Sequence, residues 1–223
     1  MPPMDGKAVL CTLHQVEKRY ARRAAPVLGP LSLTLSQGEV LGIRGANGAG
    51  KSTLLSILAG VLRPDAGEYQ LAPEAVGKVA YVPQELSLYH TLTGLDNLRF
   101  WGRACGLPRQ AISIRSRWLL EQLDLTDKGK QPVSAYSGGM QRRLHLASTL
   151  MITPKVLLLD EPTVGADARS VELILSMVEH LRDMGCAIAM ISHQPGELER
   201  VCSRVLTLEA GRPVQEEGNP CPD

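Results

Sequence analysis

The sequence contains few aromatic residues: Phe, Trp and Tyr make up 4% of its 223 residues, with a single Phe and two Trp. Aliphatic side chains must therefore build the interior. No apolar run approaches the roughly 18 residues that cross a bilayer. Asp5 and Lys7 interrupt any secretory signal at the start of the chain. These absences predict a chain that stays in the cytosol and does not itself span a membrane.

Paired cysteines and an excess of one charge are also missing. The five cysteines are odd in number and far apart, and no CxxC pair suggests a metal or redox site. With 24 basic and 23 acidic residues, the net charge of +1 gives no argument for nucleic acid or an anionic membrane as partner. We therefore expect reduced, mostly buried thiols and no nucleic-acid partner.

The hydrophobic pattern predicts an α/β fold. The aliphatic runs at 156–159 and 186–191 are typical of parallel strands covered on both faces, and the segment between them has helical spacing. Strands that alternate with helices predict a mostly parallel sheet. Residues 31–36 instead alternate with period two and turn at Gln37 toward 39–44, which predicts a peripheral antiparallel β segment.

A helical subdomain is predicted between the α/β halves. Residues 93–123 look helical, with a capping-box-like start at Thr93 and Asp96 and a division at Gly106-Leu107-Pro108. We therefore predict a single domain over residues 7–215, with the inserted helical subdomain at about 90–152 and flexible termini at 1–6 and 216–223.

The most informative motif is GANGAGKS, which satisfies GxxxxGK[ST] at every fixed position. Its glycines let successive N–H groups point at phosphate oxygens, and the following helix adds its positive end. Lys51 can reach the β- and γ-phosphates, and Ser52 can hold Mg²⁺. A glycine-rich turn without a ligand would need neither Lys51 nor Ser52, so the motif predicts a P-loop NTPase with a mostly parallel sheet. The predicted nucleotide contacts are Gly45, Asn47, Gly48, Ala49, Gly50, Lys51, Ser52 and Thr53.

Two adjacent carboxylates follow a predicted buried strand at Asp160 and Glu161. Ligands of open α/β sheets bind at this end of the strands. Asp160 can bind Mg²⁺ indirectly or through a water molecule, and Glu161 can polarise an attacking water. Adjacent acids at a strand end also occur in solvated turns, but the upstream phosphate loop favours catalysis.

The run YSGGMQ at 136–141 resembles the signature motif of the ATP-binding cassette (ABC) transporter ATPases, and its spacing before Asp160 matches that family. The resemblance extends from about Ala8 to Val214. By itself, a Ser followed by two Gly could be an ordinary helix cap. The resemblance implies that Ser137, Gly138 and Gly139 contact the γ-phosphate held by a second cassette, so that a dimer encloses two ATP molecules; we expect a homodimer, and a heterodimer is the alternative.

The same resemblance implies roles for residues whose types alone are not diagnostic. Gln84 matches a glutamine that touches Mg²⁺ or the attacking water, and His193 matches a switch histidine that contacts the γ-phosphate. Tyr20 resembles the aromatic residue that stacks on adenine, although its basic neighbours could simply form a solvated loop. Residues 164–167 resemble the D-loop, in which a larger apolar residue usually occupies the position of Ala166.

These resemblances imply a Mg²⁺-dependent ATPase subunit of an ABC transporter, on the inner face of the cell membrane. The runs EPTVG and TLTGLDNLRFWG are most similar to exporters. Separate transmembrane permease subunits are the expected partners. Apolar residues within 85–98 either dock those subunits or belong to the subdomain core. The alternatives are an ABC ATPase acting on ribosomes or DNA, and a metabolite kinase that would leave the signature and His193 unexplained.

Overall fold

The computed structural model describes residues 7–21, 25–194 and 196–218. The chain forms two compact units. The core unit contains the described residues up to Tyr81, Pro154–Glu161 and the described residues from Glu179 onward. The helical unit contains Val82–Thr153 and Pro162–Val178.

The described chain forms the following strands and helices. The strands are β1 (Val9–Lys18), β2 (Leu28–Ser36), β3 (Val40–Gly45), β4 (Ala66–Leu71), β5 (Val79–Val82), β6 (Val156–Asp160), β7 (Ala187–Ile191), β8 (Arg204–Glu209) and β9 (Arg212–Gly218). The α-helices are α1 (Lys51–Leu58), α2 (Gly94–Ala104), α3 (Arg109–Gln122), α4 (Gly138–Thr149), α5 (Ala168–Asp183) and α6 (Glu197–Val201). None of these helices combines the length and hydrophobicity that crossing a bilayer requires.

The strands form two sheets, which confirms the predicted fold class. One sheet has the order β2-β1-β4 and is antiparallel. The other has the order β5-β6-β7-β3-β8-β9, with β6, β7, β3 and β8 parallel and β9 antiparallel to β8. The turn after β2 leads out of the antiparallel sheet and into β3. Strand β3 is buried along most of its length, as an inner strand of a parallel sheet should be.

One hydrophobic core is shared by both sheets and α1. It includes Leu13 and Leu35 from the antiparallel sheet, Leu54 from α1, and Leu158 and Ala189 from the parallel sheet. Strands β6 and β7 are buried at every position. Because the side chains on both faces of these strands are buried, the ends of the strands are held in a fixed register.

That register brings three loops to one edge of the parallel sheet. Ile191, the last residue of β7, pairs with Ile43 on one side and with Asp160 on the other. The chain therefore leaves β3, β6 and β7 at the same edge. The phosphate loop follows β3, Glu161 follows β6, and His193 follows β7.

Helices α2, α3 and α4 of the helical unit are bounded by caps and turns that the sequence indicates. The Thr93 side chain accepts a hydrogen bond from the Asp96 N–H at the start of α2. Gly106 has φ +74° between α2 and α3, and the Ser137 side chain caps α4. The sequence predicts that the helix after the Ser137 cap runs to about Ile152, but α4 ends at Thr149.

The borders of the chain's units differ from the sequence-based borders. The helical unit is larger than the predicted subdomain at 90–152, since it also takes residues 162–178. Strand β9 continues to Gly218, past residue 215 where we predicted the domain to end. The rest of the predicted termini, 1–6 and 219–223, lies outside the described residues. Sequence reasoning also missed β1, whose alternation is broken by register shifts near Gln15, a residue with φ +48°.

Candidate active site

The phosphate loop joins β3 to α1 and requires glycine at two positions. Gly45 has φ +150°, and a Cβ there would lie 2.3 Å from the Leu208 carbonyl oxygen. Gly50 has φ +93°, and a Cβ there would lie 2.5 Å from the Val27 carbonyl oxygen. Gly50 also precedes α1 without any side-chain cap. The first N–H groups of α1 are therefore available to an anion, since the start of a helix leaves its N–H groups without intrahelical partners.

The tip of this loop is open on one side. Asn47 and Gly48 are exposed, whereas Ala49 is buried and its N–H donates to the Ala46 carbonyl oxygen at 3.1 Å. A Cβ built on Gly48 would meet nothing within 4 Å. The loop tip therefore presents its backbone to open space, while the base of the loop is held by the core.

Lys51 is folded back over the loop. Only 7% of the residue is exposed, and its Nζ donates to the carbonyl oxygens of Gly45 and Ala46 at 2.9 Å each. An ammonium group has three hydrogens, so these two bonds leave one for a phosphate oxygen. Burial lowers the pKa of Lys51, and the negative charges of Glu161 and Asp160 oppose that shift. The lysine charge is thus held close to both predicted carboxylates.

Tyr20 lies beside the first turn of α1. Its Oη is 3.2 Å from the Oγ1 of the buried Thr53, while 63% of Tyr20 is exposed. The polar tip anchors the residue and leaves the ring open to solvent, as a base-stacking platform requires. Of its basic neighbours, Lys18 and Arg19 contact Asp65 and Glu17. Arg22 and Arg23 lie outside the described residues.

Asp160 ends β6 as a nearly buried carboxylate, 4% exposed. The Tyr81 hydroxyl donates to its Oδ2 at 3.5 Å, and burial raises the pKa of that tyrosine. The next residue, Glu161, has φ +50°, in a region that residues other than glycine rarely adopt. Its N–H donates to the Ile191 carbonyl oxygen at 3.0 Å. Backbone outliers of this kind cluster at functional sites.

His193 lies next to Glu161. The distance from its Nε2 to the Glu161 Oε1 is 3.4 Å, and the two side chains are 41% and 19% exposed. Because β6 and β7 are neighbours in register, the residues that follow them are brought together. The core unit thus assembles Lys51, Asp160, Glu161 and His193 around the end of the phosphate loop.

The YSGGMQ run forms the exposed start of α4 in the helical unit. The Ser137 Oγ accepts from the Met140 N–H at 3.3 Å, and both Ser137 and Gly138 are exposed. Gly139 is buried, and a Cβ there would lie 2.4 Å from the Asp167 Oδ2 and from the Ser170 Oγ. The signature therefore packs tightly against the D-loop, and Gly138 remains accessible from outside.

A family model for the ABC transporter matches residues 28–164. The chain belongs to the ABC transporter family. It is 35% identical over 207 residues to the linearmycin resistance ATP-binding protein LnrL of Bacillus subtilis, covering 89% of this chain and 66% of that protein. It is 36% identical over 222 residues to a Nod factor export ATP-binding protein I of Ralstonia nicotianae, with coverages of 96% and 68%.

A solved ATP-binding subunit of an ABC transporter has the same fold, with a TM-score of 0.83 at 25% identity over 94% of this chain and 90% of that one. This chain spans about two thirds of the length of LnrL and of the Nod factor export protein.

The D-loop of this ABC family member is ordered by a cap at Asp167. The Asp167 carboxylate accepts hydrogen bonds from the Ser170 N–H and Oγ, both at 2.9 Å. These bonds lower the pKa of Asp167. Ala166 is partly buried, and its N–H donates to the Thr163 carbonyl oxygen at 3.0 Å. The loop is therefore held by its own hydrogen bonds, without help from the larger apolar side chain usual at that position.

Arg142 lies on the signature helix α4 and connects it to the D-loop and to the loop of Gln84. Sequence reasoning missed this residue. From α4, its Nε donates to the Val164 carbonyl oxygen in the D-loop at 3.1 Å. Its Nη1 donates to the carbonyl oxygen of Gln84 at 2.5 Å. A sequence signal did exist: Arg142 stands three residues after Gly139, on the same face of the signature helix. Its partners are backbone atoms, which no sequence pattern identifies.

The predicted magnesium ligands would all bind the ion through oxygen atoms. Ser52 is exposed at the start of α1, Asp160 is buried at the end of β6, and Gln84 is exposed in the helical unit. Among the residues that the structure describes, no group of three or more His, Cys, Asp or Glu side chains could hold a metal ion. The single buried carboxylate of Asp160 and the Ser52 hydroxyl, both in the core unit, are of the ligand type that suits Mg²⁺, because Mg²⁺ retains waters and binds one or two carboxylates together with substrate phosphates.

Proposed function

We propose that this chain binds and hydrolyses ATP as the nucleotide-binding subunit of an ABC transporter, and that it energises export through separate membrane subunits. The observation that carries this proposal is the convergence of Lys51, Asp160, Glu161 and His193 at one edge of the parallel sheet. Family membership and the names of the relatives support the transport role. Those names also favour transport over the alternative of an ABC ATPase acting on ribosomes or DNA.

The phosphate loop and Tyr20 bind the nucleotide. Backbone N–H groups between Gly45 and Ser52 receive the phosphate oxygens, and the third Lys51 hydrogen neutralises their charge. The exposed Tyr20 ring stacks on the adenine. Ser52, Asp160 and Gln84 would hold Mg²⁺, which supplies charge neutralisation on the β- and γ-phosphates when bound.

Glu161 is the proposed general base. It accepts a proton from the attacking water at a carboxylate oxygen, and His193 orients that carboxylate from 3.4 Å away. The unusual backbone conformation of Glu161 fixes where its side chain leaves the strand end. Because the residue is constrained by β6 and β7, the base is positioned before ATP arrives.

The signature supports a head-to-tail dimer. Ser137 and Gly138 are exposed at the start of a 12-residue helix, where N–H groups favour an anion. Placed against the phosphate loop of a second copy, this surface would contact the γ-phosphate. Two identical chains can satisfy both loops at once through two-fold symmetry, so we propose a homodimer.

An exposed aromatic patch in the helical unit is the proposed docking surface for a membrane subunit. Tyr89, Leu92 and Phe100 are 45%, 38% and 41% exposed, and the Tyr89 and Phe100 ring centroids lie 4.7 Å apart. Asn97 holds this region by accepting from the Tyr89 N–H and donating to the Tyr89 carbonyl oxygen. Leu88 is buried and belongs to the core. Clustered exposed apolar side chains mark interaction surfaces.

The decisive experiment combines hydrolysis with transport. Glu161→Gln should reduce ATP turnover by about 10²–10⁴-fold while ATP remains bound, since general-base catalysis contributes about that factor. Glu121→Gln, on an exposed face of α3, is the matched control and should hydrolyse ATP at the parental rate. ATPase assays and nucleotide binding measure the two effects separately.

The transport role requires the membrane partner. The chain should co-purify with a multi-span membrane protein, and ATP-dependent movement of cargo in inside-out vesicles should proceed into the vesicle lumen. Movement in the opposite direction would contradict export. Co-purification with ribosomes alone would contradict transport altogether, and parental turnover in Glu161→Gln would remove the base assignment.

A further inference from the structure

A cleft between α2 and α3 of the helical unit has no role in the site described above. It encloses about 720 Å³, and four arginines line it: Arg99, Arg103, Arg109 and Arg117. Cavities of roughly 300–1,000 Å³ are the usual size of small-molecule sites. None of the residues assigned to nucleotide, Mg²⁺ or catalysis lines this cleft.

The cleft concentrates positive charge in a nearly neutral chain. Between residues 95 and 120 there are five arginines, no lysine and one acidic residue, whereas the whole chain carries a net charge of +1. The acidic residue, Asp96, pairs with Arg99 at 3.0 Å. Arg115 does not line the cleft, and it donates to the Leu150 carbonyl oxygen and to Thr153 Oγ1.

The other three arginines of the cleft are uncompensated. The side chains of Arg103, Arg109 and Arg117 make no hydrogen bond or ion pair within the parts of the chain that the structure describes, and the charge of Asp96 reaches Arg103 only at longer range. All three are exposed. Like charges in one concavity repel one another, and an anion with several charges relieves that repulsion.

The chemistry of the lining favours phosphate. A guanidinium group presents a rigid fork that matches phosphate oxygens with two hydrogen bonds, whereas lysine acts as a point charge. The exposed Ser113 adds a hydroxyl at the same cleft, and the buried Ile112 and Leu120 form its apolar lining. We propose that this cleft binds a ligand carrying at least two phosphate groups.

The test uses inorganic pyrophosphate as the probe and isothermal titration calorimetry on the full chain. Wild type should bind pyrophosphate at two sites, the phosphate loop and the cleft. Lys51→Ala should lose the first site, and the double variant Arg103→Gln/Arg117→Gln should lose the second, with at least ~10-fold weaker binding there because charged hydrogen bonds are lost. Combining all three substitutions should remove both sites.

A matched control changes the same charge elsewhere. Arg63→Gln/Lys130→Gln removes two exposed positive charges that do not line the cleft, and it should retain both sites. Thermal melting of each variant checks that the fold is intact. The cleft variant should keep parental ATP turnover, which separates a failure of this proposal from a failure of the ATPase assignment.

A second arm distinguishes the source of the phosphates. Cosedimentation with phosphatidylcholine vesicles, with and without cardiolipin, shows whether a diphosphate lipid headgroup binds through the same arginines. Loss of binding in the cleft variant to either probe supports the proposal and identifies the source. An unchanged second site in that variant, equal loss in the control, or tighter binding of a poly-glutamate peptide than of either phosphate probe would overturn it.

Discussion

The two units of this protein hold their functional groups in opposite ways. In the core unit, Lys51 and Asp160 are 7% and 4% exposed and are positioned by a parallel sheet whose strands are buried on both faces. In the helical unit, Gln84, Ser137 and Gly138 are exposed. The proposed catalytic groups are thus preorganised within one chain, while the signature lies on a surface that a second molecule can contact.

This difference has a physical cause. A buried ammonium and buried carboxylates need fixed partners, which Lys51 finds in backbone carbonyls and in nearby negative charge. A helix start can leave its N–H groups in water until an anion arrives. If this contrast governs function, ATP binding should depend on the core unit, whereas hydrolysis should also require the exposed signature of the helical unit.

Among the predictions that compare the two units, the largest effect should come from blocking the exposed signature. Ser137→Arg places a long charged side chain at the start of α4 and should lower ATP turnover by about 10²–10³-fold, the typical cost of losing donors to a developing negative charge. ATP binding by the isolated chain should be unchanged, because the core unit supplies those contacts. Turnover and nucleotide affinity are measured separately.

Ser134→Arg is the control for that substitution. Ser134 is exposed just before α4, and its N–H donates to the His90 carbonyl oxygen, which the substitution leaves in place. The control should behave as wild type in turnover and in size-exclusion analysis of ATP-bound dimers. Full turnover in Ser137→Arg would show that the helical unit does not contribute to hydrolysis.

Acid should destabilise the helical unit through His145. This residue is 2% exposed, its Nε2 accepts the Ser87 N–H at 3.3 Å, and burial together with the Arg142 charge lowers its pKa from 6.5 to about 4. The unfolded chain therefore binds a proton that the folded chain refuses. The contribution of neutral His145 to the free energy of unfolding is complete above pH 6.5. It falls by about 3 kcal/mol as the pH falls toward 4.

Chemical denaturation at pH 7, 5 and 4 measures this loss. His145→Gln keeps an acceptor for the Ser87 N–H but has no proton to gain, so its free energy of unfolding should fall less over the same range. Equal pH dependence in wild type and variant would show that other groups control acid sensitivity.

Nucleotide affinity should depend on the ring of Tyr20. Tyr20→Ala should weaken ATP binding about 10- to 100-fold, since base stacking contributes roughly 1–3 kcal/mol. Tyr20→Phe removes only the contact with Thr53 and should stay close to wild type. Fluorescent nucleotide titration measures both variants, and equal losses in the two would assign the role to the hydroxyl instead of the ring.

The smallest effect should come from Arg142. Arg142→Gln loses charged hydrogen bonds to two backbone carbonyls and should lower kcat several-fold, by about 1 kcal/mol of barrier, with little change in KM. A purely structural role would lower thermal stability without that split between kcat and KM. Arg142→Lys, which can still donate to one carbonyl, should recover part of the rate.

Much of the site was predictable because its signals are local. The phosphate loop, the strand before Asp160 and the cap at Ser137 each depend on residues within a few positions of one another. The antiparallel strand β1 was missed for the converse reason. A bulge near Gln15 interrupts its alternation, and one of its two partners, β4, lies far along the chain.

Contacts between distant residues were beyond sequence reasoning. The 3.4 Å approach of His193 to Glu161 depends on the register of β6 and β7, and the bonds of Arg142 go to backbone atoms of two separate loops. The arginine cleft arises because α2 and α3 bring together residues from two helices. Composition alone showed no excess of positive charge.

The amino-acid sequence by itself determined which residue types stand at the nucleotide loop, the strand-end carboxylates and the signature, because those motifs require specific chemistry at fixed short spacings. Only the tertiary structure decided which of these groups are buried, which are exposed, and which distant groups touch. Burial and strand register arise from packing of the whole core, so they depend on many weak contacts that no short segment specifies.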